Sequence, residues 1–418
     1  MSKKLSRSAL AVAIALTAPS AWSAGFQVSE HSASGLGRAY AGDAAIADNA
    51  SVIGRNPAQM TLFKESQASG AIHIVNPEID VTDTTSGQKA SDVAPMQLVP
   101  ASYYVSPIND KWAWGVGLYT VYGVATDYPD AFQVGDAAGD TSLASVNLNP
   151  SIAYRVNDQL SLGVGANIVY AIAELNRHLG GTAPLFGDSF TASDKLISME
   201  GDTWGFGWNV GALFELDENN RFGVAYRSEV ELDFEGDFTD HRGSVTGTVG
   251  NKVTGNLSVP LPAIAELSGF HQVRDDLAVH YSMMWSQWSS FTELRATGSE
   301  CAADDVQGVC FQKDEDYKSV FRWSIGTTYD ISDTWTLRAG FAYDEKAGKS
   351  TLSIPDSDRY WYSAGATYRY SPSLTFDAGV TYIASKSGTF TESTRIGERE
   401  FDSKGAAYIG ALQANYTF

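Results

Sequence analysis

Residues 408–418 read YIGALQANYTF, and they end the chain on an aromatic residue. Their side chains alternate strictly in character. One parity carries Tyr408, Leu412, Ala414, Tyr416 and Phe418, and the other carries Ile409, Ala411, Gln413, Asn415 and Thr417. A strand with one apolar, aromatic face and one small or polar face suits a wall between lipid and a wet lumen.

The same alternation recurs along the chain, which predicts an all-β fold: a transmembrane antiparallel β-barrel of about fourteen strands. The clearest repeats lie at 204–216, 335–343 and 374–382. The predicted strands are 68–80, 96–107, 112–125, 143–156, 160–175, 204–216, 220–234, 262–273, 276–291, 318–330, 334–344, 360–370, 373–384 and 405–418. In the strand at 220–234, we expect Arg227, Glu229, Glu231 and Asp233 to face the lumen, opposite Tyr226, Val230, Leu232 and Phe234.

The connections between these strands are of two kinds. Six are short and contain turn-forming residues, near 109–110, 157–158, 218–220, 274–275, 332–333 and 371–372. The others are long, and they alternate with the short ones. An even strand number then places both chain ends on the short-turn side, which is the periplasm in outer-membrane barrels.

The N-terminus has the features of a secretory signal. Lys3, Lys4 and Arg7 precede an apolar stretch, and a small-x-small site predicts cleavage between Ser23 and Ala24, so that residues 1–23 are a signal peptide. Removing these three positive charges from a net charge of −20 leaves −23. An acidic balance argues against a nucleic-acid partner. No later run of 18 apolar residues predicts a helical membrane span.

Residues 24–66 lack the lipid-facing alternation and are rich in Gly, Ala, Ser and Asp. A fourteen-stranded barrel has a lumen too wide for its own side chains to fill. We therefore expect a hatch domain at 24–66 inside a barrel at 67–418. The alternative is a disordered periplasmic tail.

Eight short segments, in order, resemble the FadL family of outer-membrane long-chain fatty acid transporters. They are AGFQ (24–27), SGLGRAY (34–40), AIAD (45–48), RNPA (55–58), WGFGWN (204–209), YRSE (226–229), FQK (311–313) and IPDSDR (354–359). The resemblance spans nearly the whole chain after the signal. It implies a monomeric fourteen-stranded barrel with an N-terminal hatch in the outer membrane of a Gram-negative bacterium.

The resemblance also implies a function and its residues. The function is passive uptake of long-chain fatty acids, with an internal ligand site and lateral release through the wall into the membrane. No cofactor, metal or catalytic residue is implied. The residues implied are Phe26, Leu175, Arg177 and Lys313 at the ligand site, Asn56, Pro57 and Ala58 as the hatch motif, and Tyr122, Gly123 and Val124 at an inward kink of the third strand that opens the lateral gap. The terminal aromatic resembles the signal that the barrel-assembly machinery recognises.

Strand parity supports part of this site. Leu175 and Arg177 continue the lumen-facing set of their strand, whereas Lys313 has the wrong parity unless its strand bends. Lys318 is the alternative cation. A structural ion pair with a lumen acid is the alternative role of Arg177.

Two loops depart from the family. The connections at 177–203 and 235–261 are short or polar where the family builds an outer capture groove. Cys301 and Cys310 lie in one predicted loop of an exported chain, so they are a candidate disulfide.

Three other functions remain open on sequence grounds. The same fold could carry neutral aromatic or alkane hydrocarbons, which have no use for a buried cation at Arg177. A barrel lipase would need a Ser–His pair, for which His280 and Ser282 are the candidates. A surface adhesin or phage receptor is the third possibility.

Overall fold

The computed structural model describes residues 25–418. The predicted signal peptide, residues 1–23, and Ala24 lie outside the described residues. Residues 67–418 form the wall of an antiparallel barrel, and residues 25–66 lie within it. The wall closes because the first strand pairs over its whole length with the last, from Gln67 opposite Thr417 to Asp83 opposite Phe401.

The strands alternate with turns and loops around the wall. In chain order they are β1 (Gln67–Asp83), β2 (Lys89–Ala90), β3 (Gln97–Pro107), β4 (Trp112–Tyr119), β5 (Gly123–Thr126), β6 (Thr141–Arg155), β7 (Leu160–His178), β8 (Lys195–Glu215), β9 (Asn220–Arg227), β10 (Val230–Asp240), β11 (Asn251–Leu261), β12 (Ile264–Arg274), β13 (Leu277–Ser286), β14 (Glu293–Ala303), β15 (Val306–Asp314), β16 (Val320–Asp330), β17 (Trp335–Asp344), β18 (Arg359–Ser371), β19 (Leu374–Ser385), β20 (Gly388–Thr394) and β21 (Gly397–Thr417).

The predicted fourteen spans are confirmed. Strands β2 and β20 are short additions paired with β1 and β21. The other strands make fourteen spans because five spans are each interrupted once: β4–β5, β9–β10, β11–β12, β13–β14 and β15–β16. The six short turns connect neighbouring spans at the predicted places. They alternate with longer connections except between β14 and β15, where the expected long loop is strand and the connection is only 304–305.

An apolar belt surrounds the barrel. On β8, Trp204, Phe206, Trp208 and Phe214 are each at least 41% exposed, while the alternate residues point inward. Ten residue steps from Trp204 to Phe214 cover about 33 Å along the strand, which after tilting matches the height of a bilayer core. Among residues 25–418, no helix is both long and apolar enough to cross a membrane.

The hatch fills the lumen below the middle of the barrel. It contains α1 (Ala33–Leu36) and 3₁₀ helices at Ala50–Gly54 and Pro57–Leu62. Ion pairs bind it to the wall: Arg55 lies 3.8 Å from Glu266 of β12 in a buried pair, and Asp48, which is partly exposed, lies 3.7 Å from Arg338 of β17. The expected plug is therefore present, and the disordered-tail alternative is wrong for residues 25–66.

Glycines on the inner face of the wall give the hatch its room. A Cβ atom at Gly163 would collide with the backbone of Ala58, and one at Gly340 would collide with the backbone of Arg38. Only glycine allows two backbones to approach so closely. The repeated inward glycines of the sequence thus mark where the hatch contacts the wall.

The face assignment expected for 220–234 is wrong above residue 227. Arg227 lies opposite Asn209, and Glu235 lies opposite Asp202, so eight residue steps on one strand face seven on the other. This one-residue bulge moves every later side chain to the opposite face. Arg227 does face the lumen, but the later acids turn outward. Val230, Leu232 and Phe234 are buried in the lumen, and Glu231 and Asp233 are exposed outside.

The predicted loop at 235–261 is also mostly strand. Strand β10 continues to Asp240 and β11 begins at Asn251, so the connection is only 241–250. The outward residues of β11 include Lys252, Thr254 and Ser258, which are exposed above the apolar belt. Because that outer face contacts water, it carries no lipid-facing alternation for the sequence to reveal.

Candidate functional site

The third span is broken where the kink was expected. Strand β4 ends at Tyr119 and β5 begins at Gly123. The hatch pairs with this break: Gly123 N donates to Phe26 O at 2.9 Å, and Val28 N donates to the carbonyl of Val121 at 2.7 Å. The hatch segment thus takes the place of a neighbouring strand.

Above the break, the wall lacks part of its ladder. Strand β3 pairs with β4 only over 102–107, and β5 pairs with β6. Residues 97–101 of β3 pair with β1 on their other side. The described wall therefore has a gap between β3 and β5, beside the predicted kink residues.

Phe26 forms the floor of the site within an aromatic cluster. Its ring centroid lies 4.6 Å from that of Trp288, 5.2 Å from Phe291 and 6.1 Å from Tyr122. The Phe26 side chain is 2% exposed. Trp288 lies in the 3₁₀ turn that interrupts the span β13–β14, so two interrupted spans converge on this one residue of the hatch.

An apolar cavity lies above this floor. It holds about 860 Å³ free of protein atoms, part of which opens to solvent. Its lining includes two predicted ligand residues, Phe26 and Leu175. Much of the rest comes from the upper halves of the interrupted spans: Phe234, Phe238, Leu257, Val259, Leu294, Ala296 and Phe311. In β9–β10, β11–β12 and β15–β16 the inward parity changes at the interruption, and this change turns apolar side chains inward.

The two predicted cations meet at one edge of this cavity. Arg177 Nη2 donates to Ser353 Oγ at 2.9 Å, and Lys313 Nζ donates to the same oxygen at 3.2 Å. Arg177 also donates twice to Thr141 Oγ1, both at 3.2 Å, and Thr141 lines the cavity. Ile354, which follows Ser353, lines it too.

The two cations differ in how their charge is balanced. Lys313 Nζ lies 2.6 Å from Glu392 Oε1. Arg177 is 1% exposed, and no carboxylate of the described residues forms an ion pair with it. Its Nε atom is buried without a hydrogen-bond partner among residues 25–418. Glu229 and Glu231, the acids expected in the lumen, form no ion pair with Arg177, and Glu231 is exposed on the outer face.

Two further buried polar groups lie near the two cations. Tyr128 Oη and Glu315 Oε1 have no hydrogen-bond partner among residues 25–418. Glu315 follows β15, above the apolar belt. Burial raises the pKa of its carboxyl to about 7, although the nearby charge of Lys313 acts in the opposite direction. Unpartnered polar atoms beside an apolar cavity are where a polar head group would bind.

Comparison with known proteins shows the family of this chain. Residues 14–418 match the family described as outer membrane protein transport protein (OMPP1/FadL/TodX). The chain belongs to this family. It is 38% identical over 456 residues to the long-chain fatty acid transport protein of Escherichia coli (strain K12), covering 100% of both chains. It is 42% identical over 434 residues to the 47 kDa outer membrane protein of Pasteurella multocida (strain Pm70), covering 99% of each.

Solved structures agree on the fold. A Pseudomonas aeruginosa FadL homologue superposes with a TM-score of 0.83 at 24% identity, covering 94% of this chain and 100% of that one. The P. putida toluene transporter TodX gives a TM-score of 0.70 at 16% identity, covering 95% and 99%. The family membership makes this chain an outer-membrane transport protein.

The position of Lys313 in this FadL-family barrel resolves the parity conflict noted in the sequence. Lys313 lies on β15, which is separated from β16 by the break at 315–319. Its side chain is 13% exposed and points toward Ser353. Lys318 lies in the break and is exposed. Of the two lysines, the structure brings Lys313 to the site.

The hatch motif is a helix cap that contacts the wall. Asn56 Oδ1 accepts the N–H of Ala58 at 3.0 Å and so caps the helix that begins at Pro57. Its Nδ2 donates to the carbonyl of Ala44 at 2.7 Å and to that of Ala212 on β8 at 3.0 Å. One side chain therefore joins two hatch segments to the barrel.

A second cavity adjoins the apolar cavity on the side of the gap in the wall. Val124 and Ile354 line both cavities, so they form the boundary between them. The second cavity is also lined by Gly25, Ile79 and Ala94. Ala94 also borders an open groove outside β1, so this one residue lies between the second cavity and the outer face of the wall.

The connection at 177–203, where the family resemblance implies an outer capture groove, is partly ordered as helix and strand. The connection after β7 contains a 3₁₀ helix at Gly180–Leu185, and β8 begins at Lys195. Phe186 and Phe190 pack against a small apolar cluster that includes Leu175, whereas Leu185 is 75% exposed.

Cys301 and Cys310 lie on β14 and β15, not in a loop as expected, and they are bonded to each other. The disulfide closes the hairpin that carries Lys313. Cys310 also lines the apolar cavity above Phe26.

The residues considered for catalysis are engaged elsewhere. His280 Nε2 lies 2.9 Å from Thr328 Oγ1, and Ser282 Oγ donates to Glu266 at 2.9 Å and accepts the N–H of Gly42 at 2.9 Å. Among the described residues, no group of His, Cys, Asp or Glu has the arrangement of a metal site.

Sequence reasoning missed Ser353, Glu392, Glu315 and two aromatic partners of Phe26, namely Trp288 and Phe291. Ser353 directly precedes a segment that carries the family resemblance, so its neighbourhood was indicated. Glu392 lies in a hairpin without any such signal.

Proposed function

We propose that this protein takes up long-chain fatty acids by passive diffusion through the outer membrane. The observation that carries the proposal is Arg177, a buried guanidinium that has no carboxylate partner among residues 25–418 and that donates to Thr141, a lining residue of the apolar cavity. Burying a charge without a counter-charge is costly. A ligand with a carboxylate head and a long acyl chain supplies that counter-charge and fills the cavity.

The acyl chain would lie against Phe26 and Leu175, and the carboxylate would bind Arg177 and Lys313. Arginine suits a carboxylate because its donors form a planar fork. A neutral hydrocarbon, such as the toluene for which the fold neighbour TodX is named, would leave the guanidinium unpaired. Relatives that carry the name long-chain fatty acid transport protein support the same choice.

Release would be lateral. The ligand would pass from the first cavity between Val124 and Ile354 into the second, and then leave through the gap between β3 and β5. Phe26 blocks the floor, and Gly123 N holds Phe26 O, so this hatch segment would move first. The hatch motif at Asn56, Pro57 and Ala58 would stay fixed to the wall during that step.

Transport would need neither catalysis nor a cofactor, and the protein would act as a monomer within outer-membrane lipid. The engagement of His280 and Ser282 with other partners argues against a lipase. Phe418 remains a proposed recognition residue for the barrel-assembly machinery. It lies at the membrane surface, 65% exposed, with its N–H donated to the carbonyl of Ser66 at 3.0 Å.

The test compares one acid with one neutral ligand. Arg177→Ala should weaken binding of palmitate by about 1.5–3 kcal/mol, or roughly 10- to 150-fold, because a charge-assisted hydrogen bond is lost. Binding of hexadecane should change by less than about twofold. Arg369→Ala is the control, since that arginine is exposed near a periplasmic turn. An equal loss for both ligands would make Arg177 structural and favour the hydrocarbon alternative.

A further inference from the structure

Glu392 approaches the head-group site from outside the fourteen spans. It lies on β20, opposite Arg399 of β21, in the long hairpin that precedes the last span. Its side chain is nevertheless only 11% exposed. One carboxylate oxygen lies 2.6 Å from Lys313 Nζ, and the other accepts the N–H of Leu352 at 2.7 Å.

These two contacts place a carboxylate where the ligand's carboxylate would go. Lys313 uses one donor on Glu392 and one on Ser353, and Ser353 also accepts a hydrogen bond from Arg177. A second carboxylate on the same ammonium would bring two like charges together, which disfavours both. The ligand must therefore share Lys313 with Glu392 or displace it.

Displacement is compatible with the surroundings of Glu392. The hairpin lies on the extracellular side, and several of its residues, among them Ser393 and Glu398, are exposed. A displaced carboxylate would thus reach water without crossing the barrel. The backbone N–H of Leu352 would be left for the ligand, immediately before Ser353.

We propose that Glu392 is an internal counterion that competes with the head group of the ligand and so sets the preference of this site between acids and neutral amphiphiles. The inference rests on the proposed function, because it assumes that the ligand carboxylate binds at Arg177 and Lys313. Glu392 lowers the affinity for acids, and removing its charge raises that affinity.

The experiment measures affinity for palmitate and for methyl palmitate, by displacement of a fluorescent acyl probe from the full mature protein in a neutral detergent. The quantity compared is the ratio of the two affinities. Glu392→Gln should raise the acid-to-ester ratio about tenfold, because Lys313 regains a free charge. Glu392→Asp, which keeps the charge but shortens the side chain, should give a smaller rise. Glu398→Gln, in the same hairpin but exposed, should leave the ratio unchanged.

The outcomes separate this inference from the proposed function. An unchanged or lower acid-to-ester ratio in Glu392→Gln overturns the inference. A lower ratio would mean that Glu392 only positions Lys313. If Arg177→Ala loses palmitate binding while the Glu392→Gln ratio is unchanged or lower, the inference fails but the proposed function stands. Full palmitate binding in Arg177→Ala, with a raised ratio in Glu392→Gln, would overturn the role of Arg177 and keep the competition at Lys313. Heat-modifiability of each variant confirms that the barrel is folded.

Discussion

Replacing Phe26 by alanine should open the floor of the ligand cavity. The ring is 2% exposed and packs against Trp288, Phe291 and Tyr122. Truncating such a buried aromatic side chain typically costs about 3–5 kcal/mol. When the hatch segment moves away from this cluster in the natural chain, it loses the contacts of the Phe26 ring. In the variant the ring is already absent, so the same movement costs much less free energy.

The opening equilibrium should therefore shift by about 3 kcal/mol, which is roughly 150-fold. Partial collapse of the cluster around the missing ring would reduce this, so we expect a release rate at least about tenfold faster than in the natural chain. The hydrogen bond between Gly123 N and Phe26 O involves only the backbone and is retained.

The assay is stopped-flow transfer of a fluorescent fatty acid from protein in lipid nanodiscs. Transfer into the surrounding bilayer and release to water are followed separately, because weaker binding alone would accelerate both. Opening of the floor should accelerate transfer into the bilayer more. Phe376→Ala removes a lipid-facing ring that is 43% exposed and serves as the control. Bilayer transfer within twofold of the control would refute the reasoning.

Two further substitutions test the gap and the polar edge. Gly123→Phe should leave the affinity for palmitate within about twofold and slow bilayer transfer at least tenfold, because a large side chain at this buried position blocks the lateral exit. Transfer at the natural rate would instead favour movement of the hatch at Asn56. Glu315→Gln should remove a pH dependence of ligand affinity. Burial raises the pKa of the Glu315 carboxyl to about 7, so this group is neutral below that pH and ionised above it. Affinity for an alkyl sulfonate should therefore fall from pH 6 to pH 8 in the natural chain and stay constant in the variant. Because this pKa lies above the unfolded value, the stability that the neutral form contributes is present at low pH and lost as the pH rises through about 7, and chemical denaturation at both pH values should detect the change.

The sequence predicted the lower half of the barrel far better than the upper half. Within the bilayer, one face of each span must contact lipid, so the alternation from Trp204 to Phe214 could be assigned directly. Above the bilayer both faces of a strand contact water or protein. Strands β14 and β15 carry no such alternation, and they were expected to be a loop.

The residues of the site divide in the same way. Leu175 and Arg177 continue an unbroken strand, so parity placed them correctly in the lumen. Lys313 had the wrong parity because a break at 315–319 separates it from the span below. Glu392 could not be found at all, since its contact with Lys313 joins segments 79 residues apart through folding alone.

The interruptions explain why one barrel can be both a membrane wall and a container for an apolar ligand. A regular strand that presents apolar residues to lipid must present its other face to the lumen, and here that face is small or polar. A one-residue bulge exchanges the two faces. Below the bulge at Ser228, the outward residues suit lipid; above it, Val230, Leu232 and Phe234 turn into the lumen where no lipid remains outside. The same exchange in neighbouring spans builds an apolar cavity above a polar lumen. The level of the bulges therefore sets the height of the apolar cavity. That level coincides with Phe26 and with the break in the third span, through which the proposed ligand would leave.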